Sequence, residues 1–585
     1  MQFDRQTHWQ FLNDELRAEV EEFKKTFEAK ATSLLNNSEE MFVGQFMSFK
    51  NGEMIVRFPN TRAIPRKGDF LYCMLLPKEL RNFHNWGNRT YEDLYKCRYK
   101  ATECSVIWQT PCEDPRLTLV GFHRVDVEFQ SMIEAEQGIV LVFAPQMPPT
   151  AYIVNLLKIV TNTNSIGVSK VLDVDYKPNN WRPVLIKDAD TAEFVMRQLA
   201  LSNTMILQGP PGTGKTTLIA DICAKLLAQR KSVLVTALTN RALMEIAEKQ
   251  SLAPALQSGC VWKTNMTTDE NQELRQLESL KQISPILGAV VLSTFFISSG
   301  YASSIAEEAP FDYVIMDEAS QAVTAMFAAS ARMGKKCLWV GDTQQLPPIV
   351  MLNDDIIQGK NYRPLVNGLY LMVSSSSLPI YQLTKTYRFG KRASDFTGKF
   401  YGGTLCAEKD KMAYIIPSLR NILHIHGGPS LVLTDMPAGD ASPNFAIQMA
   451  TCLVGKILQE DKHKEVAVLT CLIKTTKALQ KSIARSIGNG TNLIVDTIAR
   501  VQGLTTDIVI YFIPNYSYLR TIEPHLFNVA TSRAREHTII IANKNILLEQ
   551  GMDINVRDYL QTLYAEEVIY IPANSKTKQI LTPLE

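Results

Sequence analysis

Residues 209–216 read GPPGTGKT and stand between an apolar segment, TMILQ, and a helix-forming segment, TLIADICAKLLAQ. They fit the phosphate-loop pattern GxxxxGK[ST], in the strand-then-helix context that the pattern requires. Gly209, Gly212 and Gly214 allow backbone N–H groups to curl around phosphate oxygens, and the N-terminus of the following helix adds positive potential. The sequence therefore predicts a site for the phosphates of a nucleotide.

Two side chains of this loop have specific tasks in phosphoryl chemistry. We expect Lys215 to reach the terminal phosphates and the Thr216 hydroxyl to ligate Mg²⁺. The predicted nucleotide-binding residues of the loop are Gly209, Pro210, Pro211, Gly212, Thr213, Gly214, Lys215, Thr216 and Thr217.

Two carboxylates follow the apolar segment YVIM. Asp317 stands where an acid at a strand end can hold the metal ion beside Thr216. Glu318, the next residue, can orient and deprotonate an attacking water, so the pair favours hydrolysis over transfer to a bound acceptor. An acidic strand end that merely faces water is the alternative.

Segments on both sides of this site predict two α/β domains. SVLVTAL, VVLST, YVIMD and CLWVG extend a parallel sheet over residues 187–350, in which residues 265–286 have helical spacing and predict an insertion. SLVLTD, EVAVLTC, LIVDTI, DIVIYFI and TIIIAN predict a second domain over 378–545. The Gly- and Ser-containing stretch 351–377 between them is predicted as a linker able to carry hinge motion.

The N-terminal part of the chain has a different pattern. Apolar residues from Leu12 to Phe27 recur at steps of four and three, which predicts a long amphipathic helix over residues 8–35. Short alternating segments then surround the hairpin signal Asn51-Gly52 and predict a small β-barrel or sandwich. The remaining boundaries are a stalk helix over 1–40, the β-rich domain over 41–150, a connector over 151–186 and a frayed tail over 546–585.

The composition bounds the class of protein. The chain has 585 residues, of which 46% are apolar and 21% charged, so disordered, collagenous and disulfide-scaffold proteins are excluded. The net charge of +2 does not predict an acidic partner, so any nucleic-acid surface must come from a local cluster of basic residues. The ten Cys lack zinc-site spacing. With no apolar stretch long enough for a bilayer, we expect an intracellular protein, cytoplasmic or nuclear, without a membrane partner.

Further motifs follow the phosphate loop and the MDEASQ segment in a recognisable order. They are GDTQQLPP from Gly341, TYRF from Thr386, TIARVQG from Thr497 and NVATSRAR from Asn528. Over about residues 187–545 the chain resembles superfamily-one helicases of the branch that contains the nonsense-mediated-decay RNA helicase. The resemblance implies an α/β fold with two RecA-like parallel-sheet P-loop domains, an N-terminal helix and a small β-barrel accessory domain.

The resemblance also implies roles for single residues. Gln345 is expected to sense the terminal phosphate, Tyr387 to stack on the adenine, and Arg388 and Arg533 to approach the γ-phosphate across the cleft between the two domains. Guanidinium groups supplied in this way stabilise charge on the transferred phosphoryl group. A surface ion pair is the alternative for a lone arginine. Arg535 is expected to be a structural partner at the domain interface.

Contacts to a nucleic-acid strand are implied at five positions. Thr236 and Asn240 belong to a segment resembling motif Ia, and Thr294 to the next contact element, where polar groups hold phosphates without reading sequence. Pro347 and Thr497 complete this set. Strand-end capping is the alternative for the threonines. Residues 81–100 combine Arg and Lys with five aromatic side chains that either stack on bases or pack on the barrel.

Together these features predict an Mg²⁺- and ATP-dependent monomeric motor that translocates on single-stranded RNA or DNA. The family implies 5′ to 3′ movement. Three positions depart from its pattern: Ala192 stands where the adenine-recognising Gln is expected, and Ala499 and Thr505 replace acids of motif V. The last two keep open a second hypothesis, an ATP-switched clamp that seldom unwinds. A metabolic kinase is disfavoured by Glu318.

Overall fold

The computed structural model describes residues 3–50, 52–66, 69–114, 116–134, 136, 138–147, 150–175, 182–187, 190–375, 377–487, 492–501, 503–516, 518–566 and 568–573. The chain divides into two units. One comprises Leu12–Val154 and Val350–Asp354, and the other Met1–Phe11, Asn155–Ile349 and Asp355–Glu585. In the described ranges, every helix is too short or too polar to cross a membrane.

The N-terminal segment forms two helices instead of the single helix predicted over residues 8–35. Their bounds are α1, Arg5–Glu28, and α2, Ala31–Asn36. The break occurs because Lys30 has an extended backbone and forms an isolated antiparallel bridge with Thr90. The predicted apolar face packs in part: Leu12 is buried and the ring of Phe27 lies edge-on to that of Tyr91 at 4.9 Å, whereas Val20 is 44% exposed.

The β-rich segment forms a closed antiparallel barrel. Its strands are β1, Phe42–Lys50; β2, Glu53–Pro59; β3, Phe70–Leu75; β4, Lys100–Pro111; β5, Leu117–His123; and β6, Val140–Pro145. They follow the order β1-β2-β5-β4-β3-β6 around the barrel. Met54, Val56 and Phe58 alternate along β2 and are at most 1% exposed, so the period of two fills the interior. Gly52 closes the first hairpin with φ +80°, and Asn51 lies outside the described residues.

The aromatic stretch 81–100 packs mainly on the barrel. Trp86 and Tyr91 are fully buried, and their polar atoms donate to the carbonyl oxygens of Leu80 at 2.8 Å and Pro145 at 2.9 Å. Base stacking is therefore wrong for these two rings. The helices of this unit are α3, Tyr91–Cys97, and α4, Val127–Glu134.

The first α/β domain contains a nine-stranded sheet. Its strands are β7, Val184–Leu185; β8, Thr204–Gln208; β9, Val233–Ala237; β10, Val261–Thr264; β11, Glu278–Leu280; β12, Val290–Thr294; β13, Phe311–Met316; β14, Gly334–Gly341; and β15, Ile380–Gln382. The strand order is β11-β10-β12-β9-β13-β14-β8-β15-β7, with parallel pairing. Because parallel strands need crossovers, helices cover both faces of the sheet.

The helices from residue 151 to the end of this region are α5, Ala151–Thr161; α6, Ile166–Leu172; α7, Thr191–Leu201; α8, Lys215–Ala228; α9, Asn240–Ala247; α10, Ala253–Gln257; α11, Thr268–Glu273; α12, Phe295–Ser304; α13, Thr324–Met333; α14, Asp354–Gly359; α15, Arg363–Val366; and α16, Gly368–Ser375. Leu218 and Ile222 of α8 share a buried cluster with Leu207 of β8. Phe327 of α13 packs edge-on against Trp339 of β14 at 4.9 Å.

Three predicted segments differ from the structure of this region. The insertion over 265–286 contains only the short α11, followed by β11, which extends the sheet edge. The linker over 351–377 folds into α14, α15 and α16, with Ser376 outside the described residues. The strand at 380–382, assigned to the second domain, pairs with β8 of the first sheet. Short apolar segments carry no local signal for their partner strand, so tertiary packing decides it.

The second α/β domain is built on a six-stranded parallel sheet. A two-stranded pair precedes it: β16, Lys385–Thr386, and β17, Cys406–Ala407. The sheet contains β18, Gly428–Thr434; β19, Val466–Thr470; β20, Leu493–Thr497; β21, Thr506–Phe512; β22, Ala534–Asn543; and β23, Val568–Ile571, in the order β20-β19-β21-β22-β18-β23. Its helices are α17, Lys391–Gly398; α18, Asn444–Glu460; α19, Ile473–Ser486; α20, Tyr518–Thr521; α21, Pro524–Thr531; and α22, Ile554–Glu566.

The predicted tail is largely part of this domain. Helix α22 buries Val556, Leu560 and Leu563, and β23 pairs with β18, so fraying is wrong up to residue 573. Residues 574–585 lie outside the described residues. The predicted fold class is confirmed: two parallel-sheet domains accompany an N-terminal helix and a closed barrel. The carboxyl ends of the first sheet's strands then gather the loops that carry the predicted chemistry.

Candidate nucleotide-binding and hydrolysis site

The phosphate loop connects β8 to α8, as its sequence context predicts. Gly212 and Gly214 have φ of +72° and +78°, a region in which a side chain is strained. A Cβ on Gly209 would lie 2.4 Å from the Cγ of Lys215, so this glycine makes room for the lysine stem. Thr213 donates its hydroxyl to the Pro210 carbonyl oxygen at 2.8 Å and tightens the turn. The result is a backbone cradle at the N-terminus of a 14-residue helix.

Lys215 is directed into this cradle. Its Nζ donates to the carbonyl oxygen of Gly209 and, at 3.5 Å, to that of Pro210. Burial lowers the pKa of Lys215, while the nearby carboxylates of Asp342 and Asp317 oppose the shift. A desolvated ammonium held only by carbonyl oxygens is ready to exchange them for phosphate oxygens. Thr216 is half-buried and Thr217 is exposed on the first turn of the helix.

The two predicted carboxylates lie at the end of β13. Asp317 is 4% exposed and accepts the backbone N–H of Glu318 at 2.8 Å. Burial raises the pKa of Asp317, which that hydrogen bond and Lys215 partly offset. Such a buried acid is stabilised in its ionised form by a cation, and with the Thr216 hydroxyl it offers the oxygen donors that Mg²⁺ prefers. These residues therefore fit a magnesium ion.

Glu318 has the features of a reactive carboxylate. Its φ is +50°, a conformation uncommon outside glycine, and Oε2 is buried without a hydrogen-bond partner among the residues that the structure describes. Burial, and then the neighbouring Asp317, raises the pKa of Glu318 to about 7. A carboxylate held in a strained backbone, desolvated and unsatisfied, is suited to accept a proton from water.

The pKa of Glu318 predicts a pH dependence of turnover. Because burial raises this pKa, the basic form is lost as the pH falls through about 7, well above the ordinary value of 4.5. We expect kcat/KM for ATP to rise about tenfold per pH unit below pH ~7 and to level off above ~8. Rates measured between about pH 5.5 and 8.5, with ATP binding followed over the same range as a control, test this. An acid limb near 4.5 would contradict it.

Arg388 approaches the phosphate loop from the segment that follows β16. A Cβ on Gly212 would lie 2.5 Å from the Cβ of Arg388, and the Tyr387 N–H donates to the Gly212 carbonyl oxygen at 2.8 Å. Nη1 of Arg388 donates to the Ser532 carbonyl oxygen at 2.7 Å. Burial, and then the charges of two neighbouring arginines, lowers the pKa of Arg388 to about 9, so it stays cationic at neutral pH.

Arg533 lies on the other side of the same site. It is 3% exposed, and its Nη2 donates to Oε1 of Gln345 at 3.3 Å. Burial lowers the pKa of Arg533 to about 10, and Glu318 is the strongest opposing influence. Within the described ranges, neither Arg533 nor Arg388 forms an ion pair, so both charges are available to an anion. The surface-pair alternative is wrong for these two residues.

Arg535 differs from them in its partners. Its Nη1 contacts Glu465 at 2.6 Å and Asp507 at 2.8 Å, and its side chain is 44% exposed. Both partners belong to the second domain, so these ion pairs are structural but lie within that domain and not at the predicted domain interface. Asp342, by contrast, was not predicted as a site residue, although it follows β14 as Asp317 follows β13. That strand-end position is the signal that could have found it. Its Oδ2 accepts Nε2 of Gln345 at 2.9 Å.

Tyr387 offers an open ring beside the loop. It is 57% exposed, and a Cβ on Gly214 would lie 3.8 Å from its ring carbons, so one face is available to a nucleobase. Ala192 is buried at the start of α7 and has no polar group to read a base. Gln198, further along α7, accepts the Tyr381 hydroxyl at 2.8 Å.

The predicted strand contacts divide into two groups. Thr236 is fully buried and donates to the Ser298 hydroxyl at 3.0 Å, so a contact of its side chain with a strand is wrong in this conformation. Thr294 is 8% exposed at the end of β12. Asn240 is exposed after β9, whereas Pro347 and Thr497, the last residue of β20, are half-buried; these three remain predicted contacts.

Comparisons with known proteins agree with this site. A family model described as an AAA domain matches residues 192–351. The DNA replication ATP-dependent helicase/nuclease dna2 of Schizosaccharomyces pombe is 25% identical over an alignment of 488 residues that covers 74% of this chain and 33% of that protein. The human protein DNA2 is 28% identical over 292 residues, 46% of this chain and 27% of its own.

Among solved structures, the arterivirus nonstructural protein 10 helicase matches with a TM-score of 0.38 at 13% identity, covering 86% of this chain and 76% of the viral one. This chain spans about a third of the length of the first curated relatives. The chain is thus similar to an AAA domain around the phosphate loop and, over longer stretches, to ATP-dependent helicase/nucleases.

Proposed function

We propose that the chain is an ATP-dependent helicase or translocase that acts on single-stranded nucleic acid and hydrolyses ATP to ADP and phosphate. One observation carries this proposal: the phosphate loop and Glu318 of the first domain meet two unpaired arginines that belong to the second-domain side. A kinase needs a second substrate site here, whereas a water-activating carboxylate beside the loop serves hydrolysis.

Each residue of the site has a separate role in ATP hydrolysis. Backbone N–H groups of the loop and Lys215 bind the phosphates, and Thr216 and Asp317 hold Mg²⁺, which when bound neutralises charge on the phosphate oxygens. Glu318 accepts the proton of the attacking water. Arg388 and Arg533 stabilise charge that develops on the transferred phosphoryl group, so hydrolysis requires both domains.

This shared site supports coupling of hydrolysis to movement. ATP joins the two domains through its phosphates, and phosphate release removes those contacts. Gly503 connects the chemistry to the segment around Thr497, since a Cβ on Gly503 would lie 3.9 Å from Oε1 of Glu318. Resemblance in motif order supports 5′ to 3′ movement by a monomeric motor of the decay-helicase branch.

DNA is the favoured strand because the names of the similar helicase/nucleases specify DNA replication. RNA is the second substrate to test, since both polymers present phosphates and bases that can stack. We infer an intracellular site of action. The activity proposed for this chain is ATP hydrolysis coupled to movement on a strand.

Strand separation provides the direct test. Purified protein is expected to release the labelled strand of a duplex with a 5′ single-stranded tail when ATP and Mg²⁺ are present, and to leave a duplex with a 3′ tail intact. Oligo-dT and poly-U RNA added to a steady-state ATPase assay identify the preferred polymer by the larger stimulation. ATP turnover that no single strand changes would contradict the proposal.

An ATP-switched clamp is the second candidate, favoured by two residues near the predicted strand site. Ala499 is exposed and has no polar group, and Thr505 is half-buried, where motif V carries acids. Tight binding of a strand that depends on ATP, without separation of either tailed duplex, would support this candidate over the motor.

A further inference from the structure

A tyrosine outside the recognised motifs bridges the two halves of the site. Tyr401 ends the 3-10 helix Lys399–Tyr401, and its ring packs against the core of the second sheet. Its hydroxyl donates to Oδ2 of Asp342 at 2.7 Å, at the end of β14 in the first sheet. The same hydroxyl accepts Nδ2 of Asn528, in α21, at 2.9 Å. One phenol therefore contacts both domains.

The contact with Asp342 determines how Gln345 is oriented. Oδ2 of Asp342 accepts two donors, the Tyr401 hydroxyl and Nε2 of Gln345 at 2.9 Å. With its amide nitrogen held there, Gln345 turns Oε1 towards Nη2 of Arg533 at 3.3 Å. An amide group has an oxygen acceptor at one end and a nitrogen donor at the other, so a hydrogen bond that holds the nitrogen also determines where the oxygen points.

The contact with Asn528 connects the Tyr401 hydroxyl to α21, the helix that ends shortly before Arg533. Asn528 is fully buried, and its Nδ2 also donates to the carbonyl oxygen of Gln344 at 2.8 Å. Asp342 is only 2% exposed, so loss of the phenol leaves that carboxylate without one of its donors in a place that water hardly reaches. The network is therefore sensitive to a single hydroxyl.

We propose that Tyr401 is a positioning residue that, through Asp342, holds the Gln345 amide towards Arg533 and so makes turnover depend on contact between the two domains. This inference rests on the proposed ATP hydrolysis. Tyr401 acts by fixing Gln345 and Arg533, the residues proposed to meet the phosphates. Small displacements of such groups reduce rates strongly, because the developing charge must meet preorganised donors.

Tyr401→Phe removes the hydroxyl and keeps the ring. We expect kcat for ATP hydrolysis with a saturating single strand to fall about 10- to 100-fold, with KM for ATP within about threefold of wild type. The matched control is Tyr511→Phe, because Tyr511 is also buried in the second domain and donates its hydroxyl to the Thr521 carbonyl oxygen at 2.7 Å. Both variants should lose similar thermal stability, and only the first should lose turnover.

A double variant separates positioning from general loosening. If Tyr401 acts through Gln345, adding Tyr401→Phe to Gln345→Ala should lower kcat no further than Gln345→Ala alone. The inference would be overturned if Tyr401→Phe and Tyr511→Phe had the same kcat. It would also be overturned if the fall in kcat of the double variant were the product of the falls in the two single variants. A wild-type protein without ATPase activity would instead refute the proposed function, so the two failures are distinguishable.

Discussion

Glu318→Gln is expected to stop ATP turnover while ATP binding persists. The substitution keeps the shape of the side chain but removes the oxygen base that accepts the proton of water. We expect steady-state turnover with a stimulating strand to fall by about 10³-fold, within the range for loss of a general base. Binding of a fluorescent ATP analogue should stay within a few-fold of wild type, because the loop residues and Lys215 are unchanged.

A second carboxylate provides the control for this result. Glu308→Gln removes one negative charge from the same domain, where Glu308 lies 3.5 Å from Arg332 in an ion pair outside the site. Its turnover should match wild type. If Glu318→Gln keeps more than about a tenth of wild-type turnover, another group activates the water and the assigned role is wrong.

Arg533→Ala is expected to reduce turnover about as strongly as Glu318→Gln. Removing a guanidinium that stabilises the transferred phosphoryl group costs about 10³-fold or more in phosphate-loop enzymes. Arg533 is buried and donates from Nη2 to Gln345, so the loss also frees Oε1 of that amide. We expect turnover to fall by at least 10³-fold, with Arg533→Lys nearly as impaired because an ammonium lacks the planar fork of donors. Single-turnover hydrolysis measures this step directly.

Arg535→Ala is the matched control, two residues along the chain. Arg535 pairs with Glu465 and Asp507 and is 44% exposed, so its removal should change thermal stability slightly and turnover less than threefold. Comparable losses of turnover in the two alanine variants would show that the region, and not the charge of Arg533, is responsible.

Much of the site could be predicted because its residues follow strands and a local motif. Lys215 and Thr216 begin the helix that follows β8, Asp317 and Glu318 directly follow β13, and parallel strands bring their carboxyl ends to one edge of a sheet. The roles of Arg388 and Arg533 could not be predicted from the local sequence pattern alone. Their assignment came from the order of several motifs, since an isolated arginine in a loop is most often on the surface.

Predictions failed where the deciding contact joins segments distant in sequence. Thr236 has the expected residue type, yet its hydroxyl is buried against Ser298, 62 positions later. The strand Ile380–Gln382 pairs with β8 although its neighbours in sequence lead to the second domain. Neither local propensity nor periodicity encodes such a partner.

The sequence by itself determined the phosphate loop, the two carboxylates at a strand end and the parallel-sheet class that gathers them, and it predicted metal binding and water activation for those carboxylates. These follow from residues near one another in the chain, whose spacing sets backbone conformation. Only the tertiary structure decided that Tyr401 joins Asp342 to Asn528, across separations of 59 and 127 positions. Hydrogen bonds form between atoms within about 3 Å, and that proximity arises only when both sheets have folded and met.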